Sequence, residues 1–187
     1  MLIDEVTKID SFNVLENVTT EIAIAARKSL LKKQTTGGIV LGQVAKNIAI
    51  VMKISEQKKK GDENHPFERT KEHANKAIVR WFKQSEGRTV YLGEWFSVLN
   101  FRLRDKAVSQ MGYNLLNSVK TDELNVDTLL GIVAYPGVAA EVEIDVVLAG
   151  GEHCSSTGAV RRVVFKFKPD SAELISSELV ELADCMQ

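Results

Sequence analysis

The chain has 187 residues, of which 44% are apolar and 26% charged, and a formal net charge of −1. These values suit a globular protein with one sizeable core, since a chain of about 150 residues buries about 70% of its unfolded surface. They exclude the strong field of a general nucleic-acid binder, and no apolar stretch approaches the roughly 18 residues of a membrane helix.

The amino-terminal MLIDEVTKID carries acidic residues where a signal peptide needs a basic start and an apolar run. The two cysteines, Cys154 and Cys185, are far apart and fit no Cys-x-x-Cys pattern, so free thiols are expected. Together these place the protein in the cytoplasm. With no internal repeat and no low-complexity linker, residues 1–187 read as a single domain.

In chain order, a short strand is expected around Phe12 to Leu15. Asn17 to Glu21 reads as a helix start with hydroxyls available as caps, and Ile22, Ala26 and Leu30 recur at helical spacing, predicting a helix over 20–33. Gly37-Gly38 ends that region. Ile39 to Leu41 and Ile48 to Ile54 form a hairpin around Lys46-Asn47. Gln57 to Arg69 is polar, and its Lys58-Lys59-Lys60 run, followed by Asp62 and Glu63, reads as a solvated loop. A second helix spans about Thr70 to Gln84, with Ala74, Ala77, Ile78 and Trp81 inward and Gly87 closing it. Thr89 to Trp95 is a strand. Asp105 caps a third helix carrying Val108, Met111, Leu115 and Leu116.

Residues 128–135 form a buried strand. Val138 to Leu148 and Val160 to Phe167 form a hairpin across a Gly/Ser-rich loop. Pro169-Asp170 starts a final helix over 171–184, with Leu174, Leu179 and Leu182 apolar. Strands and helices mix without strict alternation, so the fold class is α+β: a curved mixed sheet flanked by helices.

The residues that carry most information are Tyr91-Leu92-Gly93-Glu94-Trp95-Phe96-Ser97-Val98-Leu99 and Thr35-Thr36-Gly37-Gly38-Ile39-Val40-Leu41-Gly42. They resemble the JAMM/MPN metalloprotease family, in which Glu-x-Gly-Gly-x-Leu-x-Gly precedes a Gly-x-Trp strand that runs into His-Ser/Thr-His-Pro. The resemblance covers about residues 18–167 and implies an MPN-like fold, with 168–187 as a carboxy-terminal helix. It also implies a zinc held by two histidines and an aspartate, beside a glutamate that acts through the metal-bound water.

This chain departs from the family at all four of those positions. The glutamate falls at Thr35, whose hydroxyl is no general base near neutral pH, and the histidines fall at Phe96 and Val98, which have no lone pairs. The family's Ser-x-x-Asp falls on Lys106 and Ser109, or one residue earlier on Asp105 and Val108. Neither register supplies a carboxylate ligand. A site without ligands has no metal-activated water, so the resemblance implies no catalytic residues, no metal and no cofactor. The degenerate positions are Thr35, Phe96, Val98 and Ser109. Glu94, Trp95, Phe96 and Val98 then have two readings: a pocket filled by packing residues, or an apolar groove that grips a partner without cutting it.

Other chemistry is sparse. His65 and His73 could pair on a metal, and His153-Cys154 could act as ligands or as a nucleophile pair without an orienting third group. Surface positions and an exposed hairpin loop at 152–156 are the plainer readings. The glycine pairs match no phosphate-binding pattern. Phe165-Lys166-Phe167-Lys168 reads as an amphipathic edge strand rather than a nucleic-acid stripe.

The expected function is therefore that of a catalytically inactive JAMM/MPN-like domain acting as a protein-binding or scaffolding subunit. By the resemblance its setting is a bacterial ubiquitin-like conjugation or antiphage system. The partner expected is a ubiquitin-like protein, a conjugation enzyme or an active paralogue, in a homo- or heterodimer, with no membrane and no nucleic acid. The alternatives are a hydrolase (isopeptidase or peptidase) with a non-standard site, and an unrelated soluble α+β domain.

Overall fold

A computed structural model describes residues 6–60, 70–121, 126–150, 159–180 and 182. The fold is mixed α+β, as the sequence predicts: a strongly curled mixed sheet, close to a half-barrel, flanked by helices. The described strands are β1 (Ser11–Val14), β2 (Gln34–Ala45), β3 (Ile48–Ile54), β4 (Gln57–Lys60), β5 (Val90–Ser97), β6 (Thr128–Pro136), β7 (Glu141–Gly150), β8 (Arg161–Phe167) and β9 (Leu174–Val180). Eight of them run in the order β1-β3-β2-β5-β6-β7-β8-β9, and β4 pairs separately with β2. The helices are α1 (Glu16–Leu31), α2 (Lys71–Gln84) and α3 (Arg104–Thr121), the last entered through a 3₁₀ turn at Phe101–Leu103. No described helix is long and apolar enough to cross a membrane.

Two faces of the sheet are covered differently. Val40, Leu92, Trp95, Ile132 and Ile144 belong to the main core with Val18 and Ile22 of α1 and Met111 and Leu115 of α3. Ile39 and Leu41, one residue to either side of Val40, instead form a smaller cluster with Ala74, Ala77, Ile78 and Trp81 of α2. Successive strand residues point to opposite faces, so α2 covers the side of β2 away from α1 and α3. The buried run of β2 follows from this double cover.

Several local expectations hold. Lys46 and Asn47 take φ of 50° and 64° between β2 and β3, as a two-residue hairpin turn requires. The Thr70 hydroxyl accepts the His73 amide at 3.2 Å and caps α2. Gly87, at φ 82°, ends the α2 region with its amide on the Phe82 carbonyl at 2.8 Å.

Others are corrected. The segment expected as a helix over 171–184 is strand β9 across its described core. Asp170 at φ 53° makes a tight turn after Pro169, the Lys168 amide donates to the Glu173 carbonyl at 3.0 Å, and 174–180 then pairs antiparallel with β8. The apolar spacing of Leu174, Leu179 and Leu182 fits a helix, but pairing with the open side of β8 satisfies more backbone groups than an isolated short helix could. In consequence β8, expected at an edge, is interior. Phe165 and Phe167 are buried as predicted, and Lys166 and Lys168 stay outward near Glu141 and Glu173.

Lys58-Lys59-Lys60 is not a loop but part of β4, paired with Gln34 to Thr36. Helix α1 starts at Glu16, ahead of the expected hydroxyl caps, and Thr19 Oγ1 instead donates to the Glu16 carbonyl at 3.0 Å. Asp105 lies in the first turn of α3 rather than at its cap. Asn100 Oδ1 accepts the Arg102 amide at 3.0 Å and starts the helical path one turn earlier. Gly37-Gly38, expected to end the α1 region, instead sits inside β2, and α1 ends earlier, at Leu31. A Cβ on Gly38 would lie 2.1 Å from the Ser55 carbonyl oxygen, so the residue is there for close approach.

Candidate functional site

The two motif segments meet. Strand β2 pairs antiparallel with β5, with Gly37 opposite Phe96, Gly38 opposite Trp95 and Ile39 opposite Glu94. Just beyond, the Thr36 amide donates to Ser97 Oγ at 2.9 Å. The Val98 amide donates to the Ala134 carbonyl at 2.9 Å and ties the end of β5 to β6. Trp95 Nε1 donates to the Ser55 carbonyl at 2.8 Å, and Ser55 Oγ accepts the Ile39 amide at 2.9 Å. Thr35, Phe96 and Val98 thus all lie within two residues of the Gly37–Phe96 pair.

The place where they meet is packed. Thr35 is 3% exposed, Phe96 4%, Val98 0% and Trp95 1%. In this arrangement Trp95, Phe96 and Val98 therefore offer no surface to a partner. Of the four residues considered for a groove, Glu94 alone is partly exposed, and its Oε1 accepts the Tyr91 hydroxyl at 3.2 Å. The residues at the ligand positions do not fit a zinc ion: a phenyl ring, an isopropyl group and a buried hydroxyl cannot replace two imidazoles and a carboxylate. Ser109 does not join them. It is exposed on α3, whereas Val108 of the alternative register is buried at 6%.

Beside this packed region lies a charged cluster that the sequence reading missed. Asp145 of β7 is 1% exposed. Its Oδ1 accepts the Tyr135 hydroxyl at 2.8 Å and Arg162 Nε at 2.7 Å, and its Oδ2 accepts Arg162 Nη2 at 3.1 Å. Arg104, at the start of α3, brings its Nε within 3.7 Å of Oδ2, and its guanidinium carbon lies 5.4 Å from the Tyr135 ring centre and 5.8 Å from that of Phe101. Burial and the Asp145 carboxylate raise the Tyr135 pKa well above the ordinary phenol value, and the hydrogen bonds to Asp145 raise that of Arg162. The signal was present: a carboxylate inside the apolar run Ile144 to Leu148, with Arg161-Arg162 on the strand that pairs with it.

The Tyr135 shift has a sign that can be tested. A phenol whose folded pKa is raised stabilises the fold fully below its unfolded value, and that contribution is lost as pH climbs. Wild type should therefore lose stability above about pH 10 by at most about 1.4 kcal/mol per pH unit from this group. Tyr135→Phe should be the less stable protein at pH 8, and its deficit should shrink by pH 11. Urea midpoints at the two pH values check this, and a constant gap would refute it.

On the other side of the sheet, α2 and the end of β3 bound a cleft of about 290 Å³ lined by Ile54, Ser55, Glu56, His73, Arg80 and Trp81, among others. Lys53 Nζ sits 3.5 Å from the Trp81 ring centre, and His73 Nε2 is buried without a hydrogen-bond partner. Lys76 on its rim is held by Glu72 at 2.8 Å. No group of three or more His, Cys, Asp or Glu residues that could hold a metal occurs among the described residues. His65, His153 and Cys154 lie outside them, so neither the His65/His73 pair nor the His153-Cys154 pair and its loop has a described geometry.

No family model matches the chain, and no curated protein matches it. Among solved structures, the solution structure of protein DSY2949 from Desulfitobacterium hafniense is similar over 75% of this chain and 86% of its own length, at 12% identity and a TM-score of 0.46. That likeness is too slight to carry an argument about fold or function.

Proposed function

We propose that this chain is a catalytically inactive JAMM/MPN-like domain that acts as a protein-binding or scaffolding subunit, in a setting of ubiquitin-like conjugation. The observation that supports the reading is the pairing of β2 with β5, which brings the two motif segments side by side, with Thr35, Phe96 and Val98 all within two residues of the Gly37–Phe96 pair and all buried. A frame kept in register while its chemical groups are replaced by packing fits a domain retained for its shape. Hydrolysis by a non-standard site is the weaker alternative, because Phe96 and Val98 are enclosed by core side chains and the buried carboxylate of Asp145 is already paired with Arg162.

The test is metal content and binding together. Purified protein dialysed against zinc, then analysed by mass spectrometry of the native state, should hold well under one zinc per chain. It should also leave isopeptide-linked ubiquitin-like substrates uncut while being recovered with a conjugation component from its native host. Stoichiometric zinc that a chelator removes, accompanied by cleavage, would overturn the proposal.

A further inference from the structure

Strand β9 is the last in the sheet order and pairs, among the described residues, with β8 alone. Ser176, Ser177 and Glu178 are exposed, Ile175 is 60% exposed and Leu179 55%. Leu179 lies opposite Val163 and Ser177 opposite Phe165, so both lie on the face that Phe165 uses for the core. The helices stop short of it: α1 and α3 pack chiefly against β2, β3 and β5 to β7.

The other end of the sheet is β1, only four residues long. Short strands, lysines and prolines are the usual protection of a sheet edge. Strand β9 has seven residues and neither lysine nor proline between Leu174 and Val180.

The strand is also complementary to itself. In an antiparallel pair of two β9 strands centred on Ser177, Ile175 faces the partner's Leu179, Leu174 faces the partner's Val180, and Ser176 faces the partner's Glu178. Both exposed apolar side chains find an apolar neighbour, and the carboxylate finds a hydroxyl. Centring on Glu178 would set two carboxylates against each other, and no other register joins Ile175 to Leu179. We propose that β9 pairs antiparallel with β9 of a second copy of this chain, about a two-fold axis through Ser177, so that the sheet continues across the dimer. Such an interface is isologous, as a two-fold contact must be. It stands on the edge geometry and does not depend on the family reading.

Cysteine trapping tests the register. In the full chain with Cys154 and Cys185 changed to serine, Ser177→Cys places two thiols at the symmetry centre, where paired Cα atoms lie about 4.5–5.5 Å apart, within reach of a disulfide. Ser176→Cys places them on the diagonal, about 7–8 Å apart. Mild oxidation should cross-link Ser177→Cys at least about tenfold faster than Ser176→Cys, since the diagonal pair exceeds disulfide reach. Light scattering of wild type at about 100 µM, a range suited to a small interface, should give a dimer, and Leu179→Lys should give a monomer of unchanged circular dichroism. Equal trapping at the two positions, a monomeric wild type, or a dimer that survives Leu179→Lys would each overturn the proposal.

Discussion

Replacing Asp145 by alanine should cost about 3–5 kcal/mol, the range for removing one partner of a buried ion pair. The carboxylate is 1% exposed and receives two bonds from Arg162 and one from Tyr135, with Arg104 alongside. Without it, Arg162 and Tyr135 lose their shared acceptor, and Arg104 is left with Asp105 at 3.9 Å. For a chain of this size the melting temperature should fall by about 10 °C or more. The pair itself need not stabilise much, because both ions lose hydration on burial. Asp145→Leu combined with Arg162→Met should therefore recover most of the loss, as apolar replacements of buried pairs often do. Urea denaturation of the two single variants and the double variant closes the cycle. A cost below about 1 kcal/mol for Asp145→Ala, the scale of an exposed pair, would mean that water reaches the cluster.

The second large effect belongs to Phe96. Phe96→Asp places an unpaired carboxylate in a position that is 4% exposed and removes a phenyl ring from the main core. The expected result is loss of the cooperative fold, or at least about 4 kcal/mol, because buried ionised groups without partners rank among the most damaging substitutions. Phe96→Leu, which keeps the apolar character, should cost much less, about 1.5 kcal/mol. Far-ultraviolet circular dichroism and a thermal melt of both variants separate the two readings of this residue. If Phe96→Asp melts like wild type and loses only partner capture, the side chain lines a groove after all, and the packed arrangement at the end of β5 is not the binding state.

Much of this architecture could be read from local pattern. The β2–β3 hairpin rests on two β-branched runs and a Lys46-Asn47 turn, and α2 on its Thr70 cap and Gly87 stop, so each is specified within a dozen residues of itself. Strand β9 could not be read in the same way. Leu174-Ile175-Ser176-Ser177-Glu178-Leu179-Val180 is compatible with either state, and the choice was made by an open strand next to it. The same holds for β4, whose three lysines look like solvated loop until Gln34 to Thr36 need a neighbour. Strand propensity is mostly a statement about surroundings, and the surroundings of these segments are remote in sequence.

The candidate site divides along the same line. By itself the sequence determined which chemical groups stand at Thr35, Phe96, Val98 and Ser109, and so that no zinc ligand set is present at those positions, since lone pairs belong to residue types and not to folds. It also determined that an α+β sheet with amphipathic helices would form, because periodicity is local. Only the tertiary structure decided that the two motif segments pair at Gly37 and Phe96 while Ser109 is exposed elsewhere, that Trp95, Phe96 and Val98 are enclosed, and that Asp145 meets Arg162 and Tyr135. The reason is physical: burial and ion pairing are set by which strands become neighbours, and strand pairing joins residues that the chain keeps tens of positions apart.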